Sequence, residues 1–280
     1  MATKMANGST QASEDPHQLE MNAVGYFYLP AASLGDEGIY HKYRDTIVKC
    51  QIFMIGLRPV VKLVNVVQTG KKMSTVYHVL GQDHAPEWPI PPGWELEQEK
   101  GAWTLVDAAG KRMFPDTEHA LARLHEEFVK LDFNALYIGQ VFGGPGARNA
   151  VEQLRKSEIV KKINATGVPD GYRLEVLLLE VAGRPASRVE ADDAEKITLC
   201  EAALIRHFKP KFNQHPDGGF PSTKPRMLHG LADRTISSVV MHIALEELPF
   251  RIFSDAIAPE STHKIAQDLH DHGERERFFG

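Results

Sequence analysis

The sequence predicts an α+β fold, and two features of the segment pattern support this prediction. The centre alternates between strand-like and helix-like segments, namely ALYIGQVF (135–142), AVEQLRKSEIVKKI (150–163), YRLEVLLLEV (172–181) and AEKITLCEAALIRHF (194–208). The front of the chain carries short runs rich in Val, Ile and aromatic residues, separated by Gly and Pro, which is typical of strands and turns. We therefore expect a strand-rich region followed by a region in which helices pack on a sheet.

The front region contains three strand-like stretches before a proline-rich loop. VGYFYLP (24–30) and KKMSTVYHVL (71–80) have strand composition, whereas IVKCQIFMIGLRPVVKLVNVVQT (47–69) fits either strands or a buried helix. A helix is expected to begin at Asp116 or Thr117 and to run to about Lys130, because Asp and Thr cap helix N-termini.

The central elements follow from local composition. Leu136, Tyr137 and Ile138 favour a strand that Gly139 ends or bends. The segment 172–181 is apolar at almost every position, which predicts a central strand covered on both faces. The helix 194–208 ends before Pro210, which has no N–H to continue it.

Domain organisation follows from the same pattern. Residues 1–20 are small and polar, which predicts a disordered lead-in without the apolar stretch of a secretory signal. Residues 21–115 form the strand-rich region and residues 116–280 the mixed region with its C-terminal extension, with a soft boundary near 115–130.

Composition limits the functional classes. The net charge of −5 argues against a protein that coats nucleic acid by charge alone, although a local basic groove is compatible with it. Cys50 and Cys200 show neither zinc spacing nor a disulfide framework, which favours reduced thiols in the cytoplasm. The sequence contains no run of 18 apolar residues, so we expect neither a transmembrane helix nor a membrane partner. Oligomeric state has no signal in the sequence.

Glu201 is the most informative single residue. Ile197, Leu204 and Phe208 form an apolar stripe on the helix 194–208, and Glu201 falls within this stripe. A carboxylate on a buried face is costly without a cation, a metal ion or hydrogen-bond donors. Glu201 is therefore either a functional carboxylate, or a residue at the solvated edge of a broader stripe, or the partner of a nearby arginine.

The order of these motifs resembles the GIY-YIG nuclease superfamily. The Tyr137-Ile138-Gly139 strand is followed by a helix, a strand and a helix in which Glu201 precedes FKPKFN (208–213), and the resemblance covers roughly 133–215. It implies a small, mainly antiparallel sheet flanked by helices. It also implies that Glu201 holds one divalent ion, Mg²⁺ or Mn²⁺, which polarises the scissile phosphate.

The resemblance assigns roles to further residues. Tyr137 corresponds to a tyrosine whose hydroxyl lies near the attacking water, and Gly139 to a glycine that allows close backbone approach. Asn213 corresponds to an asparagine that braces the local backbone. The arginine that steadies the phosphate is Arg155 or, alternatively, Arg148, since a guanidinium fork suits phosphate oxygens.

The sequence departs from the family pattern in two places. No Gly-Ile-Tyr motif lies in EEFVKLDFNA (126–135), shortly before the YIG strand. The motif is either the literal Gly38–Tyr40 or the strand Gly25–Tyr28 followed by an inserted segment; otherwise its tyrosine is lost or comes from elsewhere in the chain. Gln153 stands where related patterns carry arginine, which raises the alternative that the site no longer cuts.

Lysines near the expected site suit a phosphate backbone, although they equally suit solvated helix faces. They are Lys156, Lys161, Lys162, Lys209 and Lys211.

Taken together, these features predict a divalent-metal-dependent endonuclease that acts on DNA and, less favourably, on RNA. The expected setting is restriction or anti-phage defence, with residues 21–115 recognising the target or a protein partner. The alternatives are an inactive GIY-YIG-like scaffold that binds nucleic acid or a partner protein, and a structural protein.

Overall fold

The computed structural model describes residues 15, 17–99, 102–113, 117–141, 150–183, 189–214, 225–244 and 250–279. The strands are β1 (Gln18–Pro30), β2 (Ile52–Pro59), β3 (Lys62–Thr69), β4 (Lys72–Val79), β5 (Gln82–His84), β6 (Glu87–Pro89), β7 (Trp94–Glu99), β8 (Ala102–Asp107), β9 (Arg112–Met113), β10 (Phe133–Gln140), β11 (Tyr172–Gly183), β12 (Ser238–Ala244), β13 (Ile252–Ser254), β14 (Ile257–Glu260) and β15 (Thr262–Asp268). The helices are α1 (Glu37–Ile47), α2 (Thr117–Glu127), α3 (Ala150–Arg155), α4 (Glu158–Ala165), α5 (Asp193–Phe208), α6 (Pro225–His229) and α7 (His272–Phe279), and a 3-10 helix spans Ala31–Gly35.

An eight-stranded mixed sheet joins the front, the centre and the end of the chain. Its strand order is β14-β13-β10-β2-β11-β1-β12-β15. The pairs β1–β12 and β10–β13 are parallel, and the other neighbours are antiparallel. The prediction of a small, mainly antiparallel sheet flanked by helices is therefore wrong.

The sheet is larger than expected because distant segments complete it. β2 lies between β10 and β11, β1 covers the other edge of β11, and β12 to β15 extend the sheet at both ends. Strand pairing is non-local, so the composition of a short segment carries no information about which neighbour it meets. The strand-rich front region thus contributes two strands to the sheet that contains β10.

Two smaller sheets lie between β2 and β10 along the chain. One has the order β3-β4-β5, with β6 also pairing with β4, and the other has the order β7-β8-β9. Apolar residues from both sheets meet in one cluster that includes Val66, Met73, Ile90 and Leu105. These strands therefore have a core of their own, while a further cluster joins Tyr77 and Val79 of β4 to helix α2.

The large sheet is covered on both faces because its central strands are apolar at consecutive positions. On β2, Ile52 and Met54 belong to the cluster that contains the apolar residues of α5, whereas Phe53 and Ile55 belong to the cluster that contains α3 and α4 residues. β11 alternates in the same way. The prediction of a central strand covered on both faces at 172–181 is confirmed.

A buried ion pair ties the central strands together. Arg58 on β2 donates from Nη1 to Glu175 Oε2 on β11 at 2.7 Å, and both side chains are almost fully buried. The Arg58 Nε donates to the Leu131 carbonyl at 3.2 Å, and the guanidinium carbon lies 4.1 Å from the Phe250 ring centre. The pair therefore connects β2 and β11 to the segments that enter β10 and β13.

Within the part of the chain described above, no helix is both long enough and apolar enough to cross a membrane.

Gly56 on β2 allows the close approach of β10, so enlarging it should destabilise the fold. An added Cβ would lie 2.4 Å from the Asn134 carbonyl oxygen and 2.5 Å from the Phe133 ring. We expect Gly56→Ala to lower the free energy of unfolding by about 1–3 kcal/mol, as overpacking does. Urea unfolding measures the change, with Gly35→Ala as control, since a Cβ at Gly35 meets nothing within 4 Å. Equal stability of the two variants would contradict this packing.

Candidate active site

The YIG segment lies in the middle of strand β10, next to β2. The two strands are antiparallel, with a register irregularity between Ala135 and Tyr137. Beyond it, Tyr137 packs with the α3 and α4 side of the sheet, and Ile138 with the α5 side. Gly139 lies under the Phe53 ring, where an added Cβ would come within 2.4 Å of Phe53 Cζ. Gly139 thus gives the β2 aromatic ring the room to cross β10.

The structure separates the two proposed positions of the first motif from the YIG strand. Gly38–Tyr40 lies in helix α1, and Gly25–Tyr28 lies in β1, which pairs with β11 and β12. The strand that pairs with β10 is β2, separated from it by residues 60–132. Phe53 of β2 is the register partner of Gly139, and its ring centre lies 6.0 Å from that of Tyr137.

Helix α5 begins and ends with well-defined caps. Asp192 accepts a hydrogen bond from the Glu195 N–H, and the Glu195 carboxylate accepts one from the Asp192 N–H, which forms a capping box. The helix ends at Lys209, which has a left-handed φ of 46° before Pro210. These caps place the apolar face of α5 on the sheet and set the position of Glu201.

Glu201 is fully buried within the apolar face of α5. Its exposed fraction is 0%, and Ile197, Leu204 and Phe208 are buried with it. Residues 197–205 of α5 are all buried, so the helix is covered on every side and not only along the predicted stripe, and Glu201 does not lie at a solvated edge. A carboxylate in this position is costly to bury in its charged form.

Tyr137 and Glu201 interact electrostatically. Burial raises the pKa of the Tyr137 phenol to about 12, and the negative charge of the Glu201 carboxylate contributes to the increase. The Glu201 carboxylate is therefore near enough to act on the Tyr137 phenol electrostatically, whereas the Tyr137 ring packs with the α3 and α4 residues on the sheet face opposite the α5 cluster. At neutral pH Tyr137 is a neutral hydroxyl group that both donates and accepts hydrogen bonds.

The residues after α5 close the free edge of β10. The Asn213 side chain accepts from the Ile138 N–H at 2.7 Å and donates to the Ile138 carbonyl at 2.8 Å. The Phe212 N–H donates to the Leu136 carbonyl at 2.9 Å. The end of α5 is thus bound to the strand that carries Tyr137, on both sides of that residue.

Arg155 lies at the junction of α3, α1 and the 3-10 helix. Its Nη1 donates to Glu37 Oε1 at 2.6 Å, and its Nε donates to the Leu34 carbonyl. The remaining nitrogen, Nη2, is buried and has no hydrogen-bond partner among the described residues. Arg148, the alternative arginine, lies outside the described residues.

An amide network that sequence reasoning missed lies beside Glu201. Thr198, one turn before Glu201 on α5, contacts Gln140 Oε1 at 3.3 Å through its hydroxyl group. Gln153 Nε2 donates to the backbone carbonyl of Gln140 at 3.3 Å. The sequence contained one signal for each of these residues. Gln140 directly follows the YIG segment, and Thr198 shares a helix face with Glu201. Gln153 therefore contacts β10 in the place where an arginine was expected.

The five lysines of the predicted phosphate-binding group are all exposed, and they lie in or just after α3, α4 and α5. They are Lys156, Lys161, Lys162, Lys209 and Lys211. Lys161 pairs with Glu158 at 2.7 Å, both side chains being largely solvated, so this pair contributes little to stability.

Glu201 is the one carboxylate of the predicted site, and its oxygen atoms are of the donor type that hard divalent cations take. The described part of the chain contains no group of three or more His, Cys, Asp or Glu side chains placed to bind a metal. Mg²⁺ nevertheless binds through one or two carboxylates, with waters and substrate phosphates completing its shell. Glu201 supplies such an oxygen ligand, and Mn²⁺ accepts the same donor type.

Comparison of the chain with models of protein families, with curated proteins and with solved structures gives no match.

Asn213 should stabilise the fold through its two buried hydrogen bonds. Asn213→Leu leaves the Ile138 N–H and carbonyl unpaired, and we expect the free energy of unfolding to fall by about 2–4 kcal/mol. Chemical denaturation measures this change. Gln214→Ala is the control, because Gln214 is exposed and its one hydrogen bond among the described residues goes to the Lys209 carbonyl. An Asn213→Leu variant as stable as the control would contradict this stabilising role of Asn213.

The pKa of Tyr137 should report the Glu201 charge. We expect Glu201→Gln to lower the pKa of Tyr137 below its value of about 12, because a nearby negative charge opposes phenolate formation. Alkaline titration of ¹³Cζ-labelled tyrosine by NMR measures it, and Tyr137→Phe assigns the resonance. Asp193→Asn removes an exposed carboxylate from the same helix and should leave the pKa unchanged. If the pKa of Tyr137 is unchanged in Glu201→Gln, the Glu201 carboxylate does not act on the Tyr137 phenol, which would contradict the prediction.

Proposed function

We propose that the protein is a divalent-metal-dependent endonuclease that hydrolyses phosphodiester bonds in DNA and, less favourably, in RNA. The observation that supports the proposal is that the buried Glu201 carboxylate contributes, after burial itself, to the raised pKa of the Tyr137 phenol. Their setting on a YIG strand and on the helix before FKPKFN supports a relationship to the GIY-YIG nucleases.

Each group has a distinct role in this proposal. Glu201 holds Mg²⁺ or Mn²⁺, and the bound cation polarises the phosphate and stabilises the leaving oxygen. Tyr137 orients the attacking water through its hydroxyl group, because a phenol with a pKa of about 12 remains protonated at neutral pH. Asn213 keeps the two groups in register by binding β10 at Ile138.

Arg155 is the proposed phosphate-steadying arginine, with Arg148 as the alternative. Arg155 Nη2 is buried without a hydrogen-bond partner in the described chain, so it offers one directed donor for a phosphate oxygen. The exposed lysines on and after α3, α4 and α5 supply sequence-independent attraction to the nucleic-acid backbone.

The strand-rich segment between β2 and β10 is the proposed recognition or partner-binding region. Strand β3 is an edge strand that exposes Leu63, Val64 and Val67 to 45%, 53% and 44%. Exposed apolar side chains on a sheet edge favour contact with another macromolecule. Restriction or anti-phage defence is the setting we propose for an endonuclease with such an added region.

Cys50 and Cys200 are buried free thiols, which favours the cytoplasm as the compartment of the protein.

A second candidate function is an inactive GIY-YIG-like scaffold that binds nucleic acid or a partner protein. Two observations favour it. Phe53, the residue of β2 beside Tyr137, has no hydroxyl group to replace the tyrosine of the first motif. Arg155 is also engaged by Glu37 and Leu34, which gives it a structural role in joining α3 to α1.

Cleavage assays with matched variants separate these functions. Plasmid, single-stranded DNA and RNA are incubated with Mg²⁺, Mn²⁺ or EDTA. We expect metal-dependent cleavage by the wild type and a loss of about a hundredfold or more in Glu201→Gln, which keeps the shape of the side chain but removes its charge.

Asp193→Asn is the control for the cleavage assay, because it removes an exposed carboxylate from the same helix and should cleave like the wild type. Nucleic-acid binding without cleavage in every variant would favour the scaffold. Cleavage that persists in Glu201→Gln or in EDTA would contradict the proposed site.

A further inference from the structure

His125 lies where the strand-rich segment between β2 and β10 rejoins the large sheet. It belongs to the last turn of α2, and Leu131 lies in the short segment between α2 and β10. The Leu131 N–H donates to His125 Nδ1 at 2.8 Å. Because a backbone N–H only donates, Nδ1 is the unprotonated nitrogen of the ring, and the reversed ring would place a C–H group against this N–H. The hydrogen bond therefore requires a neutral imidazole.

Leu131 joins the strand-rich segment to the large sheet. Its side chain is fully buried in the cluster that contains Tyr77 of β4 and Leu124 of α2. Its carbonyl accepts from Arg58 Nε on β2 at 3.2 Å. The side chain of Leu131 thus packs with the strand-rich segment, while its backbone is bound to the sheet. The bond to His125 fixes the other polar group of the same residue.

Charged groups from three parts of the chain surround the His125 ring. Lys130 and Asp132 lie in the segment after α2, Arg58 lies on β2, and Arg251 lies directly before β13. Asp132 accepts from Arg251 Nε at 2.9 Å and from its Nη2 at 2.8 Å, and Asp132 Oδ1 lies 3.6 Å from His125 Nε2. A protonated His125 would therefore join three cations, beside a carboxylate that already binds one of them.

This environment favours the neutral imidazole. Burial lowers the pKa of His125, Asp132 opposes this change, and Lys130, Arg251 and Arg58 lower the pKa further. The folded protein therefore keeps the ring neutral at pH values where a solvated imidazole, with its ordinary pKa of about 6.5, takes up a proton. A form in which Leu131 has left His125 binds more protons below this pH. The stabilising contribution of His125 is thus complete above a pH of about 6.5 and is lost as the pH falls.

We propose that His125 makes the attachment of the strand-rich segment to the large sheet sensitive to pH. The neutral imidazole holds Leu131 in place, and protonation releases it, so that α2 and the strands packed on it loosen from the sheet in acid. The proton adds to Nδ1, the atom that accepts from the Leu131 N–H, so protonation and this hydrogen bond exclude each other. The inference stands independently of the proposed function, because it depends only on how the segment is attached.

Hydrogen exchange of the full chain, corrected for the intrinsic pH dependence of amide exchange, tests this attachment. We expect the protection of the Leu131 amide and of the amides in α2 and β4 to fall by about threefold or more between about pH 7.5 and pH 5.5. Amides of the central strand β11 should keep their protection, because opening is confined to the strand-rich segment. A loss of protection that is equal in β4 and β11 would overturn the inference.

His125→Asn is the matched variant, because its amide oxygen can replace Nδ1 as the acceptor for the Leu131 N–H without taking up a proton. It should retain the protection seen in the wild type near neutral pH and lose the fall in acid. His41→Asn is the control, since His41 is exposed on α1 and its replacement should leave the pH dependence of α2 and β4 unchanged. Equal pH dependence in the wild type and in His125→Asn would overturn the inference.

Imidazole ¹⁵N NMR of the wild type tests the same claim if His125→Asn does not fold. We expect His125 to carry its proton on Nε2 at neutral pH, with the chemical shift of an unprotonated acceptor at Nδ1 and a pKa below the ordinary value. A proton on Nδ1 at neutral pH, or exchange at Leu131 that does not change with pH, would contradict the proposed role of His125.

Discussion

The candidate site depends on one interaction, the pairing of the Asn213 side chain with the backbone of Ile138. Asn213 replaces a neighbouring strand at the edge of β10, since its amide group fills both the donor and the acceptor role of a ladder partner. Because Asn213 lies in the short segment after α5, the two bonds hold the end of that helix against β10. The strand that carries Tyr137 and the helix that carries Glu201 are joined at this point.

The central position of β2 is the second constraint. β2 supplies the neighbour of β10 on one side and of β11 on the other, and the Arg58–Glu175 pair locks its register. The chain leaves β2, builds two small sheets and returns through α2 to β10. This arrangement allows a large insertion to be added without disturbing the strands next to Tyr137, because the insertion has its own apolar clusters.

Local patterns predicted the site-bearing elements well and their neighbours poorly. The strand expected at 172–181 and the helix expected at 194–208 correspond to β11 and α5 almost residue by residue. Both depend on periodicity and end signals, which are local properties. The partner of β10 was not predictable in this way, because pairing across 60–132 depends on which apolar faces fit together. The sequence analysis did not assign β12 to β15, which join the sheet through β1 and β10, strands far away in the chain.

The residues of the site show the same difference between local signals, which the sequence carries, and non-local contacts, which it does not. The spacing of Ile197, Leu204 and Phe208 indicated a buried Glu201 as one of two alternatives, whereas the burial of α5 on every side was not predicted. The pairing of Arg155 with Glu37 did not follow, because α1 is more than a hundred residues away in the chain. Gln140 and Thr198 were missed because neutral polar residues give no cost signal until their burial is known.

The central claim is that Glu201 and Tyr137 form one metal-dependent site, and a crystal structure with Mn²⁺ and a phosphorothioate oligonucleotide tests it most directly. Anomalous scattering locates manganese independently of the surrounding density. The account predicts an anomalous peak within coordination distance of a Glu201 carboxylate oxygen, with a phosphate oxygen in the same coordination shell and the Tyr137 hydroxyl facing that phosphate. Manganese bound elsewhere, with the oligonucleotide away from β10 and α5, would contradict it.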